Sequence, residues 1–430
     1  MTHGNHGCCM KIELINTGSE LMLGRVLNSH QQWICRQMAD HGYTVDRQVG
    51  ISDDGPVIQG AVREGLSRAD LVITTGGLGP TSDDLTRDLI AQLLGRKLRE
   101  DEAVLRNIES FFQSRSRPMP PSTRVQAMVP EGAVVLANAH GTAPGLAIRL
   151  DPRPGARIPQ WLILLPGPPR ELHPMFRQQV LPLVEQEYPR ETPFVCRTLK
   201  TTGLGESVVE ERIAAPLKPW VDGGMELGYC ARTGEVDVRL VSRHPEGVAL
   251  VAAAEKVCRG LLEKHLYGVD DETLEGTILR LLSSMGRTVG VAESCTGGFI
   301  ANRITNVPGA SRVFRGGVLA YDNEIKERLL NVPGDTLRAH GAVSEPTARA
   351  MAEGARRLLG VDYAISVTGI AGPTGGTPEK PVGTVFIGLA APEGTRVVRQ
   401  INPFDRETFK FITSQQSLNL LRRELVGEGG

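Results

Sequence analysis

One pattern recurs along this chain and limits what it can fold into: a short apolar run ends in a glycine-containing loop, and an amphipathic helical stretch follows. It occurs where residues 12–16 lead into Thr17-Gly18, where 71–75 lead into Gly76-Gly77-Leu78-Gly79, and where 161–165 lead into Pro166-Gly167. It returns near the carboxyl end, in the runs before Ser294-Cys295-Thr296-Gly297-Gly298 and before Thr368-Gly369-Ile370-Ala371-Gly372. Strands alternating with helices build a parallel α/β sheet, and loops at the strand carboxyl ends are where such sheets hold ligands. In the first domain, residues 10–174, helices are expected over 25–41, 56–67 and 85–94. The piece 151–159, rich in Pro, Gly and Arg, reads as a surface loop.

Between 175 and 268 the order changes to strand (194–200), helix (207–217), strands (within 225–242) and helix (247–265), which predicts a small α+β domain. A third domain, again α/β, spans 272–426 and opens with Ile278, Leu281, Leu282 and Met285 on one helix face. A length of 430 residues suits about three domains. A formal net charge of −1 offers no overall field for a polyanion, so nucleic acid is not expected as a partner. Seven scattered cysteines do not form a secreted disulfide framework, and no run reaches the roughly 18 apolar residues of a membrane span, so the expected setting is the cytoplasm. His3, His6, Cys8 and Cys9 resemble metal ligands, with Met10 as the start of the folded chain as the competing reading.

The chemistry concentrates in three carboxyl-terminal loops. Glu293-Ser294-Cys295-Thr296-Gly297-Gly298 places hydroxyls, a thiol and backbone N–H groups at a helix start, where an oxyanion or phosphate is favoured. The competing reading makes Ser294 a helix N-cap. Tyr321-Asp322-Asn323-Glu324-Ile325-Lys326 ends a strand and begins a helix, and a desolvated lysine there would act as a base toward a serine hydroxyl. The loop from Thr368 to Gly376 adds glycines able to cradle an anion. Together they predict a cleft at the carboxyl edge of the sheet. In the first domain, Gly76, Gly77 and Gly79 allow close approach to a phosphate, and Asp83-Asp84 offer two hard carboxylates for a divalent cation, or an N-cap for the next helix. P-loop, zincin and nucleophile-elbow motifs are absent.

These segments, with Pro308-Gly309-Ala310-Ser311, His340-Gly341-Ala342-Val343-Ser344 and Asp405-Arg406, resemble the CinA family over the whole third domain. The resemblance implies a nicotinamide-nucleotide amidase of pyridine-nucleotide salvage, needing no cofactor: Ser294 as nucleophile, Lys326 as general base with Tyr321 beside it, and Glu293, Cys295, Thr296, Gly297, Gly298, Ser311, Thr368, Gly369 and Arg406 around the mononucleotide. Cys295 stays open as a rival thiolate nucleophile, with Glu293 and Lys326. Phe404 stands where many relatives carry glycine before Asp-Arg.

The first domain resembles the MoaB/MogA molybdopterin-binding fold as CinA proteins carry it. That resemblance implies metal-dependent hydrolysis of ADP-ribose with Mg²⁺, Mn²⁺ or Co²⁺ at Asp83 and Asp84, and ligand contacts from Glu20, Asn28, Thr75, Gly76, Gly77, Gly79 and Thr81. The middle domain resembles the family's KH-type segment. However, Gly203-Leu204-Gly205-Glu206 departs from the RNA-clamping Gly-x-x-Gly, so a spacer or homodimer element is expected. The competing functional readings are a non-catalytic competence or recombination accessory and a molybdopterin-binding protein.

Overall fold

The computed structural model describes residues 10–190 and 192–427. His3, His6, Cys8 and Cys9 lie outside the described residues. The chain divides into two compact units, Met1–Phe194 and Val195–Gly430.

The first unit begins with β1 (Ile12–Thr17), the one-turn α1 (Ser19–Met22), α2 (Ser29–Asp40), β2 (Arg47–Ile51), α3 (Gly55–Arg68), β3 (Leu71–Thr75) and α4 (Thr86–Leu93). Then come β4 (Leu98–Glu100), α5 (Glu102–Gln113), β5 (Met128–Pro130), β6 (Ala133–Leu136), β7 (Gly145–Leu150), β8 (Gln160–Leu165), α6 (Pro169–Met175) and α7 (Leu181–Glu187). The main sheet runs β2-β1-β3-β8-β7-β6. Its first four strands are parallel, as the alternation with helices predicts, but β7 and β6 run antiparallel. The reason is local: β7 reaches β8 through the 151–159 loop with no helix between them, so the chain reverses. Helix α2 starts at Ser29 rather than 25, because the Asn28 side chain accepts from Gln31 N–H and caps it there.

Each face of this sheet is buried. Ile12, Leu14, Leu71, Ile73 and Ile163 pack under α2 and α6, and Ile15, Val72, Leu162 and Leu164 pack under α3, α4 and α5. Phe176, Val180, Leu181, Val184 and Tyr188 belong to the first of these cores, so the unit continues past 174 to Phe194.

The second unit opens with β9 (Val195–Thr202), α8 (Glu206–Asp222), β10 (Glu226–Arg232), β11 (Glu235–Ser242), α9 (Gly247–Leu262) and β12 (Leu266–Val269). Their sheet, β10-β11-β9-β12, is antiparallel and carries α8 and α9 on a core of Leu199, Val209, Ile213, Val238, Leu240 and Val251.

There follow α10 (Leu274–Ser284), β13 (Val289–Glu293), α11 (Phe299–Thr305), β14 (Phe314–Leu319), α12 (Asn323–Leu330), α13 (Gly334–His340) and α14 (Glu345–Leu359). The unit ends with β15 (Tyr363–Gly369), β16 (Thr384–Ala391), β17 (Gly394–Ile401) and α15 (Arg406–Leu425). The second sheet runs β14-β13-β15-β16-β17, parallel through its first three strands and antiparallel in the last two. Val291, Ile365, Val367 and Ile387 face α10, α11 and α15, while the small residues Ala292, Ala364 and Ala390 face α12 and α14. The architecture is mixed α/β in both units. No helix among the described residues is long and apolar enough to cross a membrane.

Candidate functional site

The parallel strands β14, β13 and β15 end side by side, with Glu293 opposite Leu319 on one flank and Val367 on the other. Their loops therefore bring Ser294, Tyr321 and Thr368 to one edge of the sheet. Ser294 is buried and held by its N–H, which donates to the Val367 carbonyl at 3.1 Å. Two left-handed glycines, Gly297 (φ 63°) and Gly298 (φ 92°), then turn the chain into α11.

The sequence predicts free N–H groups at that helix start. The structure corrects this. The Glu293 carboxylate, almost fully buried, accepts from Gly298 N–H at 3.0 Å, Ile300 N–H at 3.1 Å and Ala301 N–H at 2.8 Å. Glu293 is thus the cap of α11, and its carboxylate is engaged rather than offered to a ligand; Ser294 does not cap the helix. Polar groups are left unspent in this turn: the Thr296 hydroxyl is fully buried without a partner, and the N–H groups of Cys295 and Thr296 have no acceptor among the described residues.

Lys326 lies on the first turns of α12, whose N-cap is Asp322. It is among the largest fully buried side chains, 1% exposed, and its Nζ donates to the Tyr321 carbonyl at 2.9 Å. Burial pushes its ammonium below the usual lysine range, partly offset by Asp322 and Cys295. Cys295, beside Ser294, is buried, and burial pushes its thiol up to about 12; Lys326 and Arg406 oppose that shift and so lie within electrostatic reach. A thiol so raised stays protonated at neutral pH, which disfavours the thiolate reading and leaves Ser294 as the nucleophile candidate, with the Lys326 amine within electrostatic reach of the adjoining Cys295.

Arg406 opens α15. Its guanidinium donates to the Gly372 carbonyl at 3.0 Å and to the Tyr321 hydroxyl at 2.9 Å, which ties the 370–383 loop to the β14 loop. Phe404 is 48% exposed and does not disturb this placement. The helix N–H groups of Glu407 and Thr408, however, are taken by Asp405 Oδ1, both at 3.0 Å.

Thr368 Oγ1 donates to the Ala342 carbonyl at 2.7 Å and anchors the 340–344 loop. Gly369 answers a packing demand, since a β-carbon there would stand 2.9 Å from the Thr384 carbonyl oxygen on β16. Ser311 is not brought to this edge. It lies in the turn before β14, whose first residue Phe314 pairs with Val289 at the start of β13. A strand length of roughly 16 Å therefore separates it from the carboxyl ends. One residue absent from the sequence reading joins the site: a β-carbon placed on Gly297 would stand 3.7 Å from Lys410 Nζ. Its spacing of four from Arg406 was the available signal.

In the first unit, the loops after β1, β3 and β8 enclose a cavity of about 590 Å³. Glu20, Asn28, Thr75, Gly76, Gly77, Gly79, Asp83 and Asp84 all line it. Asn28 is also the α2 cap, and Thr75 Oγ1 accepts from Asn16 Nδ2 at 2.7 Å. Gly77, at φ 68°, admits no side chain because a β-carbon would overlap the Thr86 hydroxyl. Thr81 donates its N–H at 3.0 Å and its hydroxyl to Asp84, and its position beside Asp83 holds that carboxyl below the ordinary carboxylate range. Asp83 does not cap α4, whose N-cap is Leu85. Missed by the sequence reading were Asp53, His30, Gln126 and Glu171 on the cavity wall. His30 bonds the Gly167 carbonyl, and burial depresses its pKa. No group of three His, Cys, Asp or Glu among the described residues is arranged as a complete metal cage. Two adjacent carboxylates on the wall of a glycine-lined cavity of this volume suit an ion that takes its other ligands from substrate and water.

The comparisons with known proteins agree with this division. The "CinA C-terminal domain" matches residues 271–425, "Probable molybdopterin binding domain" matches 13–186, and "Damage-inducible protein CinA KH domain" matches 196–268. A CinA-like protein of Gemmatimonas aurantiaca is 42% identical over 98% of this chain and 98% of its own. A CinA-like protein of Akkermansia muciniphila is 44% identical over 95% of this chain and 96% of its own. Among solved structures, the competence/damage inducible protein CihA of Agrobacterium tumefaciens is 38% identical, covers 34% of this chain and 91% of its own, and has a TM-score of 0.33. With full-length relatives at this identity, the chain belongs to the CinA family.

Proposed function

We propose that the second unit is a nicotinamide-nucleotide amidohydrolase, converting nicotinamide mononucleotide and water to nicotinate mononucleotide and ammonia. The observation that carries this reading is Lys326: a fully buried amine with a depressed pKa, held by the Tyr321 carbonyl beside the Ser294–Cys295 turn. In this mechanism neutral Lys326 takes the Ser294 proton as Oγ bonds to the carboxamide carbon. The N–H groups of Cys295 and Thr296, without an acceptor among the described residues, would be the donors to the resulting oxyanion. The C–N bond then breaks, Lys326 returning its proton to the leaving nitrogen as ammonia. Water attacks the acyl-serine, its proton passes to Lys326, and the Ser294 Oγ–carbon bond breaks with reprotonation of Oγ. Arg406 supplies a guanidinium for the 5′-phosphate.

The test is ammonia release from the mononucleotide by wild type, Ser294→Ala and Lys326→Ala, with free nicotinamide as control. Release by wild type alone supports the reading; no release from wild type would leave a binding protein, such as a competence or recombination accessory, in its place.

The first-unit cavity favours a second activity, hydrolysis of the ADP-ribose diphosphate. Asp83 and Asp84 would hold a divalent cation that neutralises the diphosphate, while the backbone at Gly76, Gly77 and Gly79 approaches its oxygens. Absence of AMP from ADP-ribose with Mg²⁺, Mn²⁺ or Co²⁺ would reduce this cavity to ligand binding, the role that a molybdopterin-type fold also suits.

A further inference from the structure

The two helix starts at the second-unit site, where an anionic substrate group would ordinarily be received, are both already filled from within the chain. Glu293 takes the N–H groups of Gly298, Ile300 and Ala301, and Asp405 takes those of Glu407 and Thr408. With both helix starts taken, side-chain cations are needed to balance the two charges of a phosphate at this edge, beside the backbone donors of the glycine loop. Lys326 is turned inward onto the Tyr321 carbonyl, and part of the Arg406 fork is engaged by Gly372 and Tyr321. A further cation that the fold brings to the turn is Lys410, whose Nζ would stand 3.7 Å from a β-carbon on Gly297.

Lys410 follows Arg406 by four residues on α15, so the two side chains leave the same face of the helix. It is half-buried, its Nζ reaches the Gly297 turn, and no carboxylate among the described residues pairs with it. Phe411, the next residue, packs against Phe299 of α11 and under the Arg303 guanidinium, which fixes the rotation of α15 over this turn.

We infer that Lys410 is the second phosphate-binding cation of this site and sets its preference for a phosphorylated nucleotide over the nucleoside. This rests on the amidase reading for its substrate, and its test has an arm that does not. In the full-length protein, Lys410→Gln should reduce the ratio of kcat/KM for nicotinamide mononucleotide to that for nicotinamide riboside by about tenfold, the effect entering through KM, and Lys410→Arg should restore most of it. An unchanged ratio in Lys410→Gln, or an equal fall in kcat for both substrates, would overturn the phosphate assignment. The second arm is calorimetric binding of inorganic phosphate, with Ser294→Ala as the host. There, Lys410→Gln should weaken phosphate binding by a similar factor. If wild type releases no ammonia yet phosphate binding still depends on Lys410, the amidase reading fails and the cation site stands. Binding indifferent to Lys410 sinks the site itself.

Discussion

Ser294 and Cys295 are neighbours on one turn, and burial treats their chemistry oppositely. A serine hydroxyl needs only a base within reach, whereas a cysteine must ionise first, and at about 12 the Cys295 thiol does not do so at neutral pH. Cys295→Ala is therefore expected to keep ammonia release within about threefold of wild type, while Ser294→Ala loses on the order of 10³-fold or more in kcat. The reverse pattern would establish the thiol as the nucleophile.

On the amidase reading, Lys326 sets the pH dependence. Only its neutral form accepts a proton, and burial moves its titration below the ordinary 10.5. The kcat profile should therefore rise with pH and level off before that value, and a plateau reached only above it would show that Lys326 is not the base. Ser294, Lys326 and Arg406 could be singled out in the sequence because each sits in a separate motif at a strand or helix end, and the structure brings those ends to one edge of the sheet. The use of Glu293 was not, since whether a strand-terminal carboxylate turns outward to a ligand or back onto its own helix depends on three-dimensional closure. Ser311 was misplaced for a related reason: a turn adjacent in sequence to β14 lies at the wrong end of it once the strand is parallel to β13.

At the scale of elements, the site depends on helices held close by small residues and caps. Glu293 satisfies three N–H groups of α11 from inside the sheet, so Glu293→Ala leaves buried donors unpaired and should lower unfolding free energy by about 2–3 kcal/mol, read by denaturant titration. A shift under 0.5 kcal/mol would mean that water replaces the carboxylate. Gly354 on α14 does a similar job for α12: a β-carbon there would overlap the Leu330 carbonyl oxygen at the end of the helix that carries Lys326. Gly354→Ala should therefore cost about 1–3 kcal/mol in stability and reduce kcat by moving the base, with the phosphate preference left to α15.

The alternation of strands and glycine loops made both α/β sheets readable. The antiparallel β7 and β6, and the antiparallel β16 and β17, were hidden because a missing helix in a connection is a weaker signal than a present one.

At the scale of the whole molecule, the middle segment and the catalytic candidate share one compact unit, and α15 joins them together with α10, whose Thr277 hydroxyl donates to the Tyr267 carbonyl. The amino end of α15 carries Arg406 and Lys410. Further along, Gln415 Nε2 donates to Thr202 Oγ1 at 3.2 Å and to Glu235 Oε1 at 2.9 Å, and the buried Arg422 reaches the carbonyls of Lys264 and Leu266. Tyr267 of β12 lies in the same apolar cluster as Leu418, Leu421 and Ile278. Ordering the start of α15 by a phosphorylated ligand should thus reach the β9–β12 sheet through a rigid helix rather than stop at the site. Hydrogen exchange on the full chain checks this: saturating nicotinate mononucleotide should slow amide exchange in β9 and β12 as well as around residues 293–298. The double variant Gln415→Ala/Arg422→Ala should keep the second effect and lose the first. Protection confined to 293–298 in wild type would make the middle segment a passive neighbour of the site.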